Sequence, residues 1–388
     1  MAAGHPFRGL LVIDFTHVLA GPACSYYLGL LGANVIKVES TSKGDAIRHR
    51  GGTDAAAAEI GMSTSYITQG AGKKSIALDL TKSSDNQIFH HLLARADVLV
   101  ENHIPKTMAA LGLDEHSLAA RHPHLIHCAM TGYGRGGPQE NTPAYDVNIQ
   151  AACGLMEMTG TTDSGPIRVG APVLDYATAM AASFAVSAAL YERGNSGKGT
   201  FIDVSMLETG LSLMSSTVTD YLITGNMPQR RGNLANSRSP GAGSYPCKSG
   251  IISLGVNEES HFQNLAVALS REDWLSDPRF ADRSSRKRHA TAFVAAIEAE
   301  LLKKSAQEWE PILQNAGVPS ARLRHLAEAL ASDQVTQRHF IKRLNDDSAV
   351  PTLPFRIGGV PGYAPASSAP QKGEHTDEIL RWLDQTDQ

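Results

Sequence analysis

Asp175 stands at the head of an alanine-rich run, VGAPVLDYATAM (169–180). A carboxylate there has two compatible uses. It can cap the helix, or it can be kept ionised by the helix's first backbone N–H groups and act as a nucleophile. Other chemical motifs are weaker. GYGRGG (132–137) has G-x-G-x-x-G spacing after a strand-like run, but Pro138 and polar residues follow where a dinucleotide site needs a helix to start. GNSGKGT (194–200) and QGAGKKS (69–75) miss the phosphate-loop spacing, and neither G-x-S-x-G nor H-E-x-x-H occurs. Cys24, Cys128, Cys153 and Cys247 lie far apart with no C-x-x-C pair. That argues against a zinc knuckle or a disulfide framework and suits a reducing compartment.

The elements that must position Asp175 alternate between two kinds. Strand-like runs are LLVIDF (10–15), ANVIKVE (33–39), KSIALDL (74–80), DVLVEN (97–102), LIHCAMT (125–131) and FIDVSM (201–206). Helix-like blocks fall at 21–32, 83–95, about 147–159 and 175–193. Such alternation predicts a mostly parallel, doubly wound sheet. The character changes after about residue 225. Residues 230–246 are rich in Gly and Ser with two prolines, which reads as a long loop. Short strands and charged helices continue to about 325, as in a smaller α+β domain, and a last helix runs from Glu374 to about Leu383.

The bulk composition is that of an ordinary globular protein, 42% hydrophobic and 19% charged over 388 residues. A net charge of −4 gives no electrostatic case for a nucleic-acid partner. The longest low-charge run, Tyr176 to Tyr191, has 16 residues, short of the roughly 20 that a membrane span needs. The expectation is a buried helix in a soluble, cytoplasmic protein with no membrane partner.

Ten segments together resemble one family. They are FTHVLAGPACSYYLGLLGANVIKVE (15–39), GDAIR (44–48), KKSIALDL (73–80), DVLVENHIPKTMAALGL (97–113), TGYGRGGP (131–138), AYDVNIQAACGLMEMTG (144–160), VGAPVLDYATAM (169–180), GKGTFIDVSMLE (197–208), NAGVPSARL (315–323) and GEHTDEIL (373–380). In this order they are similar to the class III (CaiB/BaiF) coenzyme A transferases, most of all to formyl-CoA transferase. The resemblance implies an α/β fold with a Rossmann-like large domain, residues 1–222 completed by 326–388, and a small domain, 223–325. It also implies a homodimer of two interlocked rings, acyl-CoA and a small carboxylic acid as substrates, and no permanently bound cofactor or metal.

Residue by residue, the resemblance makes Asp175 the nucleophile that holds the acyl group as a mixed anhydride. It assigns Val18, Ala20, Leu78, Asn102, His103 and Tyr145 to coenzyme A, and Gly241 and Gly243 in SPGAGS (239–244) to a loop that covers the active site. His17 reads as a hydrogen bonder that holds the first turn. Leu19, Ser40, Thr81, Ala110 and Pro143 depart from the family, which has a glutamine, an arginine, a lysine, an arginine and a lysine there; the change at Leu19 weakens the polar recognition oxalate needs, so the expected acceptor is a short dicarboxylic, hydroxy or branched acid. Lys37, Lys73, Lys74, Lys106 and Arg48 are the nearby cations that could replace the lost charge. Two other functions fit the same fold. An α-methylacyl-CoA racemase would carry a histidine where this chain has Tyr145, and a silent CoA-binding protein would not need Asp175.

Overall fold

The structure, a computed structural model, describes residues 5–235, 237, 239–359 and 363–385. The chain forms two compact units. One comprises Met1–Glu157, Ile167–Pro228 and Asp333–Gln388, the other Met158–Pro166 and Gln229–Ser332. The chain thus leaves the first unit at 228 and returns at 333, where the sequence suggested 222 and 326. The short hairpin of Gly160–Thr161 and Gly165–Pro166 also groups with the second unit.

Six apolar runs form the parallel sheet of the first unit: β1 (Leu11–Phe15), β2 (Asn34–Ser40), β3 (Lys74–Leu78), β4 (Val98–Glu101), β5 (Ile126–Thr131) and β6 (Phe201–Ser205). Their order is β3-β2-β1-β4-β5-β6, with Val12 opposite both Val35 and Val98. This is the doubly wound arrangement, and it explains the nearly unbroken apolar runs: such strands are buried on both faces. Val12, Val35, Val98, Val100, Ile126 and Cys128 point to one face, while Ile13, Ile36, Val38 and Leu99 point to the other.

The first face is covered by small residues. Helix α1 (Ala20–Leu30) contributes Ala23, Cys24 and Leu28. The other face is covered by Phe89, Leu92 and Leu93 of α2 (Ser83–Arg95), and the C-terminal helix Thr376–Gln385 adds Ile379 and Leu383. The helix expected over 147–159 is two helices, α3 (Asp146–Ala152) and a single turn at Leu155–Met158. Gly154, at φ 86°, breaks them apart in a conformation that costs glycine no Cβ clash.

The helix that carries Asp175, α4 (Val173–Ser196), is longer than expected and ends at Gly197 in the left-handed conformation. Among the described residues it is the one helix long and apolar enough to cross a membrane by length and composition. Its Ala179, Ala182 and Val186 pack on the sheet, which accounts for the small side chains there. The opposite side leaves Met180, Phe184 and Tyr191 exposed, the last two at 78%. So the helix is core on one side only, where the sequence suggested full burial.

The second unit holds an antiparallel sheet of β7 (Ala242–Pro246), β8 (Ile251–Gly255) and β9 (Ser320–Arg322), in the order β9-β8-β7. Its core is aromatic, with Phe262, Trp274, Phe280 and Phe293 in ring contact. The end of the supposed 230–246 loop is therefore strand. Its small residues hide the alternation, but Gly243 faces Leu254 in register and Tyr245 is buried.

Candidate active site

In a doubly wound sheet the crevice lies at the carboxyl ends of the strands where the order reverses, here between β1 and β4. The loop after β1 forms one wall of that crevice, and buried charges hold it in place. Lys73 Nζ donates to Asp14 Oδ2 at 2.7 Å, to Pro22 O and to Ser25 Oγ. Lys37 Nζ donates to Thr16 O at 2.9 Å and pairs with Asp45 Oδ2 at 2.9 Å. Burial would raise the Asp14 carboxyl, but Lys37 and Lys73 outweigh it and hold it well below the usual carboxylate range. Asp45 Oδ1 accepts from Val18 N and Ile47 N, while Asn102 brackets the backbone of His17, its Oδ1 accepting from N and its Nδ2 donating to O. Held from both sides, Val18 adopts φ 66°, a strained region for a β-branched residue.

Together these loops enclose a pocket of about 290 Å³. Val18, Leu19 and Ala20 line it from the β1 loop, Asn102 and His103 from the end of β4, and Tyr145 and Asp175 complete it. Among the described residues no lysine or arginine lines it. Its two imidazoles are neutral in character. Burial pushes His103 down to about 4, with His17 adding to the effect, and burial also lowers His17. The rings stand 5.0 Å apart.

Asp175 lies in the first turn of α4 but does not cap it. The amides of Leu174 and Asp175 donate to Asp146 Oδ2, at 2.7 and 3.4 Å, and Gln150 Nε2 holds Asp146 Oδ1 at 2.6 Å. Asp146, at the start of α3, is thus the capping residue, and the expected stabilisation of an ionised Asp175 by those amides is corrected. Among the described residues no group donates a hydrogen bond to the Asp175 carboxylate. Burial, with the charge of Asp146 adding, raises its pKa to about 7. The position of Asp146 directly after Tyr145, at the head of a helix, was the only sequence trace of this role.

The assigned residues divide. Asp175, Val18, Ala20, Asn102, His103 and Tyr145 share the pocket, although the amide of Asn102 is spent on His17. Leu78 does not line it; strand alternation turns its side chain into the core beside Ile76 and Ile379. Gly241 and Gly243 do not form an open loop. Gly243 is in β7, and a Cβ on buried Gly241 would stand 2.9 Å from Val256 Cβ, so these glycines serve close packing within the second unit. Three of the five cations considered as substitutes are already committed: Lys37 and Lys73 as above, and Arg48 to Glu39 at 2.6 Å in a buried pair. Lys74 pairs with Glu378, and Lys106 is exposed.

Comparison with known proteins follows the same lines. Residues 7–376 match the profile of CoA-transferase family III. The chain is 34% identical to the acetyl-CoA:oxalate CoA-transferase of Acetobacter aceti, covering 95% of this chain and 93% of that one. It is 31% identical to the succinate–glutarate CoA-transferase of Agrobacterium fabrum, over 98% and 96% of the two chains. The crystal structure of a CAIB/BAIF family protein from Brucella suis superposes with a TM-score of 0.87 at 28% identity, covering 98% of this chain and all of that one.

The raised Asp175 pKa has a measurable cost. The unfolded chain ionises this group near 3.8 and the folded chain near 7, so the folded state loses stability as pH rises between those values. Asp175→Asn removes that loss. In urea titrations its stability advantage should grow from pH 4 to pH 7 and then level off, at no more than about 4 kcal/mol from roughly 1.4 kcal/mol per pKa unit. An advantage that does not change with pH would show that Asp175 ionises normally.

Proposed function

The chain belongs to CoA-transferase family III and is an enzyme that moves coenzyme A from an acyl-CoA to a carboxylic acid; we propose that Asp175 is its nucleophile and a short dicarboxylate its acceptor. The observation that carries the first part is the carboxylate itself. It sits in the crevice at the switch point, with no donor on it among the described residues and a pKa near neutrality. A group titrating near the working pH is substantially ionised there, yet more nucleophilic than an ordinary carboxylate.

The reaction then balances without a redox partner. An oxygen of Asp175 attacks the thioester carbon, the C–S bond breaks, and coenzyme A leaves as the thiolate, with an acyl–aspartyl anhydride remaining. The thiolate attacks the aspartyl carbon, expels the donor acid as a carboxylate and forms an aspartyl thioester. The acceptor carboxylate next displaces the thiolate to give a second anhydride. Attack by the thiolate on the acceptor's acyl carbon yields the new acyl-CoA and frees Asp175. Val18, Ala20, His103 and Tyr145 line the path of the thioester end in this reading, and Asn102 positions His17 and Val18 rather than touching substrate. Tyr145 supplies a phenol where proton shuttling at carbon would call for an imidazole.

Relatives named for oxalate and glutarate support a dicarboxylate acceptor, and the compact pocket favours a short one. The exposed side of α4 supports a homodimer. Met180, Phe184 and Tyr191 recur at helical spacing, and helix Ser215–Thr224 adds exposed Leu222 and Ile223. Apolar side chains in that density are normally covered. The reading is of a soluble, cytoplasmic dimer, interlocked as in the family.

Asp175→Asn keeps the shape and removes the attacking anion. With succinyl-CoA as donor, its turnover should fall at least about a thousandfold while the coenzyme A dissociation constant stays within about threefold. Retention of a tenth of wild-type activity would refute the assignment of Asp175. In the same assay the wild type should prefer dicarboxylates to monocarboxylates of equal length, and equal rates would refute the acceptor class. Light scattering should give twice the 41.4 kDa chain mass, and a stable folded monomer would contradict the dimer.

A further inference from the structure

We propose that the phosphate-bearing end of coenzyme A is held by a basic cavity formed around Lys43, Arg50 and Lys372, in the same unit as the Asp175 pocket. This rests on the coenzyme A reading of that pocket and extends it to residues outside it. Coenzyme A carries its thiol at one end and its phosphates at the other. The Asp175 pocket fits only the first, because no lysine or arginine lines it and burial keeps His17 and His103 from carrying charge. Lys37, Lys73 and Arg48 cannot supply the cations, since each is buried against a carboxylate. The charge must come from elsewhere on the same unit.

A second, open cavity of about 590 Å³ lies in the same unit, walled by the loop after β2 and by Gln371 and Lys372. Lys43, His49, Arg50 and Lys372 are in its wall, and no aspartate or glutamate is. Arg48 also reaches it, but its charge is met by Glu39. Among the described residues neither Lys43 nor Arg50 has an ion-pair partner, and both are exposed. Lys372 is held in place. Its ammonium donates to Thr41 O at 2.8 Å and Ser42 O at 3.1 Å, at the turn that follows β2. An ammonium has three donors, so one remains for a ligand.

Buried Asp45 ties a wall residue of one cavity to the turn that lines the other. Its carboxylate accepts from Val18 N in the wall of the first, and its neighbours Gly44 and Ala46 line the second. An elongated ligand can therefore leave its thioester by Asp175 and pass over this turn to the cations. The loss of the family's basic residue at Ser40, at the end of β2, is then made good by cations from the loop just beyond it and from the C-terminal stretch.

Titration calorimetry with coenzyme A and with phosphate-free pantetheine separates the outcomes. The wild type should bind coenzyme A far more tightly than pantetheine, and added salt should weaken only the former. Lys43→Ala/Arg50→Ala should weaken coenzyme A about tenfold, since each exposed phosphate contact contributes only a small factor. Pantetheine binding should not change. Wild-type affinity for coenzyme A in the double variant, or the loss appearing in Lys106→Ala instead, would overturn the proposal while leaving the transferase reading intact. A wild type that binds neither ligand would overturn both.

Discussion

The buried charge cluster of Asp14, Lys37, Lys73 and Asp45 is the constraint on which the site depends. All four side chains are buried, and each charge is met by another or by a backbone group. Taking such charges out of water is costly, and a hydrophobic replacement of similar volume is often no less stable. Stability alone does not account for the arrangement. What it fixes is shape: Lys37 holds Thr16 O, Asp45 holds Val18 N, and Lys73 ties the start of α1 to β1. Those bonds keep Val18 at a positive φ, and the wall of the pocket follows from it. Loss of one member would strand a buried charge, at a cost of about 3–5 kcal/mol, and would release the loop as well.

The second arrangement divides two carboxylates by role. Asp146 and Asp175 meet at one helix terminus, and the backbone donors of that terminus go to Asp146. Asp175 has the burial without the donors, and the charge beside it adds to the upward shift. A carboxylate in the capping position would be better stabilised and a poorer nucleophile. The fold thus gives the backbone donors to one acid and leaves the other buried without them.

Much of this fold was legible in the sequence. The six strands are short apolar runs bounded by polar or glycine residues, and burial on both faces leaves that signature plainly. The start of α4 and its alanine face were also visible, because close packing demands small side chains. What was hidden depends on tertiary contacts. Lys37, Lys73 and Arg48 look like any lysine or arginine near a binding site, and only their partners, brought from elsewhere in the chain, reveal that they are committed. The capping role of Asp146 needs α3 set against α4. Gly241 and Gly243 were assigned to a loop by resemblance, and the small residues 242–244 at the start of β7 have no apolar rhythm to reveal the strand. Leu78 was assigned by resemblance, and pleating turns its side chain into the core.

The proposed mechanism requires Asp175 to carry the activated acid. Both the anhydride and the aspartyl thioester have an activated aspartyl carbon, which hydroxylamine converts to a stable hydroxamate. Quenching the enzyme with hydroxylamine during turnover with succinyl-CoA, followed by peptide mass mapping, reads that position directly. The hydroxamate should appear on the peptide that contains Asp175, only when acyl-CoA is present and not in Asp175→Asn. An enzyme that transfers coenzyme A at full rate while Asp175 stays unmodified, or that carries the label on another carboxylate, would contradict the mechanism.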